Sequence, residues 1–230
     1  MAAAALCTLA LGPKYSAMAG PLFAALARAG NRCVVTTDNA ADFPGCEITP
    51  FVPDGTHPWH MKRFPLRHAL ETGAQTAYWI DADSTLGVPE NEIPVYEALP
   101  EGFRSPIVRR ALRDRSCFHN RAHRLQLYLD ACERFGVADP NAPLIGNDTI
   151  FTVSKDDGDA WQRFFIRWDE YAFWLRDTGR LSGDNLGVCF AALHAGWWLR
   201  QDRPRFLAML KVCVHMCLGD WRKSGSTEIP

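Results

Sequence analysis

Nowhere does this chain hold the roughly 18 uninterrupted apolar residues that a membrane-spanning helix needs, so no transmembrane segment is expected. Neither sign of charge is in excess. Twenty-five Lys and Arg stand against 26 Asp and Glu, for a net charge of -1. That balance argues against a nucleic-acid partner, because non-specific binding there needs surplus positive charge to displace counterions. The basic run RRALRDR at 109–115 is interrupted by Asp114 and reads as a solvated helix face. The eight cysteines lack a zinc-finger spacing and sit mostly inside apolar segments. A chain of 230 residues has no need of a disulfide framework, so reduced core thiols in a cytoplasmic protein are expected. The opening MAAAALCTLALG lacks the basic stretch of a signal peptide and is too short to span a bilayer. It reads as a buried first strand closed by Gly12-Pro13. No internal repeat and no low-complexity tract is present.

What remains is the pattern of one α/β domain spanning 1–230. In its first half, 1–86, strand and helix signals alternate. Strands are expected at 4–11, 31–38, in EITPFVP and at 76–80. Between them fall a helix with Pro21 near its start and Gly30 past its end, and a helix after Pro65 that Gly73 terminates. Strands joined by crossover helices imply a mostly parallel sheet, with ligands bound beyond the carboxyl ends of the strands. The second half, 87–230, is richer in helix. Residues 87–104 read as an irregular loop, and Ser105-Pro106 as the cap and first turn of a helix reaching Phe135. A strand follows at 149–154. Trp161, Phe164, Phe165, Trp168, Tyr171 and Leu175 then recur at helical spacing, as a core face rather than a sugar-stacking platform.

The chemistry centres on YWIDADSTL, where Asp81 and Asp83 follow the strand at 76–80. Three readings are open. The pair is a polar turn; or, with Thr85, it matches the nucleophile motif of haloacid-dehalogenase phosphatases, Asp81 attacking phosphorus with Lys155 and Asp184 as later partners; or it holds a divalent cation. In an extended segment, residues two apart face one side, so both carboxylates would meet one ion. Hard Mg²⁺ or Mn²⁺ prefers oxygen donors, and Mn²⁺ accepts imidazole too. Against the phosphatase, three strand signals precede the motif, and no second carboxylate closely follows Asp184.

In motif order across most of its length the chain resembles GT-A-fold glycosyltransferases, in particular the glycogenin-like and galactosyltransferase-like retaining family. LGPKYSAM, HMKRFPLRHAL, YWIDADSTL, LIGNDTIFTVSK, SGDNLGVCFAAL and VCVHMCLGDWRKSG carry the likeness. The resemblance implies a single GT-A-like (Rossmann-like) domain that moves a hexose from a nucleotide-diphosphate donor, a UDP-sugar, with retention of configuration. It implies Mn²⁺ or Mg²⁺ held by Asp81, Asp83 and His215. Tyr15 and Asp38 fall near the nucleoside, and Lys62, Arg63, Gly219 and Lys223 near the diphosphate. Asn147, Asp148 and Asp184 fall at the donor sugar. The acceptor would be a glycan, a lipid-linked sugar or a protein. The chain departs from the pattern in lacking the usual Lys-Pro-Trp end, and in carrying Asn185 where Gln is usual. An inactive GT-A-like binding module is the further alternative. For His215, flanked two residues away by Cys213 and Cys217, structural and zinc-site readings stand beside the metal one.

Overall fold

The computed structural model describes residues 3–100, 102–105, 108–110, 122–141, 143–145, 149–155, 158–180, 184–197 and 199–215. In chain order these form β1 (Ala4–Ala10), α1 (Gly12–Arg28), β2 (Arg32–Thr37), β3 (Glu47–Pro50), α2 (Arg63–Glu71), β4 (Thr76–Ile80) and β5 (Ser84–Leu86). Then come β6 (Gly102–Ser105), β7 (Val108–Arg110), α3 (Ala122–Phe135), β8 (Pro143–Ile145), β9 (Ile150–Ser154) and α4 (Ala160–Asp177). The described chain ends with α5 (Asp184–His194), β10 (Leu199–Gln201), α6 (Arg203–Val212) and β11 (Cys213–His215).

Seven strands make the central sheet in the order β10-β6-β9-β4-β1-β2-β3. All run parallel except β9, which is antiparallel to both of its neighbours. The expected mostly parallel sheet flanked by helices is therefore present. Its inner strands are apolar on both faces, as a sheet covered on both sides requires. Ala5, Cys7, Ala77 and Trp79 join the core beneath α2, α3, α4 and α5. Leu6, Ala10, Tyr78 and Ile80 join the one beneath α1 and α6. The aromatic face of α4 is core, with Phe164, Phe165, Trp168 and Tyr171 buried.

Three local expectations fail. Pro21 lies inside α1, which begins at Gly12. The Gly12 φ of +79° makes the sharp exit from β1 that only glycine takes without strain. Pro21 is exposed, so the carbonyl it leaves unbonded is open to water. Ser105 does not cap a helix; it ends the buried strand β6, which fills the gap between β9 and β10. Ladder hydrogen bonds and burial outweigh the local capping preference there. The helix reaching Phe135 starts at Ala122. Residues 102–104, expected to be loop, belong to that same strand.

Candidate functional site

Six of the seven strands end along one edge of the sheet, and β4 delivers Asp81 there. Asp81 and Asp83 are not presented by an extended segment as the sequence suggests. The chain turns at once, Ser84 N donating to the Asp81 carbonyl at 3.1 Å. That turn leads into β5, which pairs antiparallel with β11, setting His215 opposite Ser84. One short ribbon thus brings a residue from the far end of the sequence onto the aspartates. His215 Nε2 lies 2.9 Å from Asp83 Oδ1 and 3.7 Å from Asp81 Oδ2.

Asp81 Oδ1 accepts from Lys62 Nζ and from the Trp79 indole N–H, both at 2.7 Å. Its other oxygen is left facing His215. Burial alone would lower the His215 pKa, but the hydrogen bond to Asp83 and the charges of Asp83 and Asp81 outweigh it and raise the value. Two carboxylates therefore face the Lys62 ammonium and an imidazole whose protonated form they favour. The imidazole Nδ1 is buried without a hydrogen-bond partner among the described residues.

Asp81, Asp83 and His215 each offer a donor atom, all within 4.8 Å of one another. Two carboxylate oxygens and one imidazole nitrogen form a donor set suited to Mn²⁺, and less strictly to Mg²⁺. The residues fit the ion. Cys213 does not join them: its sulfur is buried in the core beneath α1 and α6 and is not among the donor atoms that converge. Cys217 lies outside the described residues.

A cavity of about 410 Å³ opens beside these donors, lined among others by Tyr15, Trp59, Lys62, Trp79 and Thr149. That volume lies within the range of small-molecule sites. Tyr15 and Trp59 are 44% and 47% exposed, the two aromatic rings among the exposed large hydrophobic side chains of the described residues. Both line this one cavity. Trp59 escaped the sequence reading, although Pro58-Trp59 just before the Lys-Arg pair was a usable signal. Trp79, two residues before Asp81 and on its side of the chain, was a second.

The remaining sequence candidates divide. Lys62 lines the cavity. Arg63, expected at the diphosphate, instead points into the protein: its side chain is fully buried and paired with Asp54 and Asp169. Consecutive helical residues face different ways, so Lys62 and Arg63 part company. Asp38 accepts the Gly12 N–H on both oxygens at 3.0 Å, closing the amino end of α1, and does not line the cavity. Asp184 opens α5, but its side chain lies outside the described residues, as do Asn147, Asp148, Gly219 and Lys223. Lys155, which the phosphatase reading needs beside Asp81, follows Ser154, whose partner Thr76 begins β4. It therefore sits about 20 Å away, at the opposite edge of the sheet. Its ammonium covers the Trp161 ring.

Helix α5 packs behind the turn at Pro58–Lys62, from which Pro58, Trp59 and Lys62 line the cavity. Gly187 passes so close to the turn at Pro58–Lys62 that a Cβ would stand 2.8 Å from both His60 Nδ1 and Trp168 Nε1. These two atoms are themselves joined at 3.3 Å. Gly187→Ala is expected to cost about 1–3 kcal/mol by overpacking, measured by urea unfolding. A neutral result would show that the turn yields freely.

No protein-family model and no curated protein matches the chain. Among solved structures it is similar to a glycosyltransferase involved in the glycosylation of the major capsid of PBCV-1, at 12% identity over 93% of this chain and 92% of that one, TM-score 0.49. It is also similar to the galactosyltransferase LgtC in complex with donor and acceptor sugar analogs, at 10% identity over 98% and 84%, TM-score 0.45. Against the WbbM bifunctional glycosyltransferase the figures are 9% identity, 86% of this chain, 38% of that chain and TM-score 0.41.

Proposed function

We propose that this chain is a metal-dependent glycosyltransferase that moves a sugar from a nucleotide-diphosphate donor, a UDP-sugar, to a hydroxyl acceptor. The observation that carries this reading is the convergence of Asp81, Asp83 and His215 beside a cavity with two exposed aromatic rings. A divalent cation held there would supply Lewis-acid stabilisation to the departing diphosphate.

The chain's own residues do the rest. Asp81, Asp83 and His215 would hold the ion, and its charge would offset their carboxylates and favour a diphosphate beside them. Lys62 adds its ammonium and, through Asp81, fixes one carboxylate. Tyr15 offers its ring to the base. Asn147, Asp148 and Asp184 are assigned to the donor sugar, where a carboxylate steadies developing positive charge. Gly219 and Lys223 are assigned to the diphosphate, and Asp38 to the rim near the nucleoside. Retention of configuration and a hexosyl donor rest on the sequence resemblance. Cytoplasmic residence rests on the six described cysteines, all free thiols. Among the described residues no helix is long and apolar enough to cross a membrane.

Thermal denaturation with UDP, GDP or CMP, each with and without Mn²⁺, tests the reading. A ligand at about a hundred times its Kd stabilises by about 2.7 kcal/mol. For a chain this size that is roughly 5–10 °C, expected for UDP and only with metal. Silence towards every nucleotide would overturn the transferase. Nucleotide binding without turnover of any UDP-sugar would favour the binding module.

A further inference from the structure

Two thiols meet at the side of the sheet that ends in β3. Cys33 lies on β2, and Cys46 directly precedes β3. These strands run parallel with Val34 opposite Glu47, so Cys33 and Cys46 stand opposite each other one step earlier. Adjacent strands are about 4.8 Å apart, inside the window of roughly 4.4–6.8 Å between Cα atoms that a disulfide spans. Both side chains belong to the core beneath α1. There the two thiols hydrogen-bond each other. Cys46 Sγ also donates to the Phe23 carbonyl of α1 at 3.7 Å.

Packing holds this arrangement. The segment before Cys46 lies so close on α1 that a Cβ at Gly20 would stand 2.6 Å from the Asp42 carbonyl oxygen. Phe43 is buried, and the Cys46 N–H donates to its carbonyl at 3.2 Å. The turn that delivers Cys46 is thereby fixed against the helix.

The two sulfurs differ in access. Cys33 is 2% exposed, whereas Cys46 is half-buried and is the one that a small solute reaches. The hydrogen bond from Cys33 lowers the Cys46 pKa in spite of burial, and the same bond, with burial, raises that of Cys33. A reachable thiol with the greater thiolate fraction, backed by a second thiol in contact, suits an attacking and a resolving cysteine. Neither residue lines the cavity beside Asp81.

We propose that Cys33 and Cys46 are an oxidisable dithiol, converted by a peroxide into a disulfide that staples β2 to the entry of β3. The Cys46 thiolate attacks one peroxide oxygen. The O–O bond breaks, the departing hydroxide takes up the proton that the thiol gave, and Cys46 carries a sulfenic acid. The Cys33 sulfur then attacks the Cys46 sulfur. The S–S bond forms, the S–O bond breaks, and hydroxide leaves with the Cys33 proton as a second water. The two thiols have lost two electrons and the peroxide has gained them. In a reducing compartment such a bond is transient, which agrees with both residues being free thiols in this structure.

The test exposes the reduced full chain to hydrogen peroxide, stops the reaction with catalase, alkylates in denaturant and digests with trypsin. No Lys or Arg lies between Arg32 and Lys62, so one peptide holds Cys33 and Cys46 and no other cysteine. That peptide should escape alkylation, weigh less by two hydrogen atoms, and regain both thiols in dithiothreitol. The oxidised protein should melt roughly 5–10 °C higher, because closing a loop of about 14 residues restricts the unfolded chain. Cys33→Ala should stop at the sulfenic acid, which dimedone traps on Cys46. If Cys33→Ala fails to fold, Cys46→Ser carries the test, and it should lose the melting shift. Both thiols still alkylated after peroxide, a bond from either to another cysteine, or a Cys33–Cys46 bond that forms only in denatured chain would overturn the proposal.

Discussion

Asp83→Ala should bind Mn²⁺ at least about a hundredfold more weakly than the unaltered protein while keeping its fold. Loss of a group that merely orients a ligand costs 10–100-fold in metal affinity, and Asp83 is itself a donor. Its carboxylate contacts His215 at 2.9 Å, and without it the imidazole keeps, among the described carboxylates, Asp81 at 3.7 Å. Turnover of a UDP-sugar should fall by about 10²–10³, the usual cost of removing one electrostatic stabiliser of a departing charge. Asp81→Ala is a blunter instrument. It removes an acceptor from both Lys62 Nζ and the Trp79 indole N–H, so it should lower stability as well as metal affinity. Calorimetric titration of Mn²⁺ into both variants, beside urea unfolding, separates the two effects. Unchanged Mn²⁺ affinity in Asp83→Ala would remove the metal site, and with it the basis for the proposed chemistry.

The aspartates were legible in the sequence because a strand signal ended on them, and parallel strands put chemistry at their carboxyl ends. How they converge was not legible. Alternation along a strand suggested one shared side, whereas a turn immediately after Asp81 and the pairing of β5 with β11 make the site. That pairing joins residues more than a hundred positions apart, and no local pattern encodes it. Of the Lys62-Arg63 pair the sequence shows two cations. Only tertiary packing shows that one lines the cavity and the other is buried against Asp54 and Asp169. The strand β6 was missed for a related reason. Gly102 and Ser105 are loop and cap residues by local preference, and it is their position between β9 and β10 that makes a strand of Gly102–Ser105. The helix face of α4 was legible because its period is local and its residues are large.

Arg63→Met should destabilise the protein by about 3–5 kcal/mol, the cost of breaking a buried ion pair by removing one partner. The Arg63 guanidinium donates through Nε to Asp169 at 2.5 Å, to the Asp54 carboxylate, and to the His60 carbonyl at 2.7 Å. It also lies against the Phe64 ring, 4.5 Å from its centre. Arg67 continues to pair with Asp169 in the variant, so Asp54 is the group most exposed to the loss. Burial would raise the Asp54 pKa, but its hydrogen bonds from Thr56 and the charge of Arg63 hold it below the ordinary carboxylate value. A depressed folded-state pKa contributes stability above the unfolded pKa and loses it as pH falls through the folded one. The gap between the unaltered protein and Arg63→Met should therefore be full at pH 7 and narrow below about pH 4. Urea unfolding at the two pH values measures it. The network also anchors the turn at Pro58–Lys62, so Trp59 and Lys62 lose their fixed place in the cavity wall, and nucleotide affinity should fall along with stability. The opposite pattern, intact stability with lost nucleotide affinity, would return Arg63 to the diphosphate where the sequence resemblance put it.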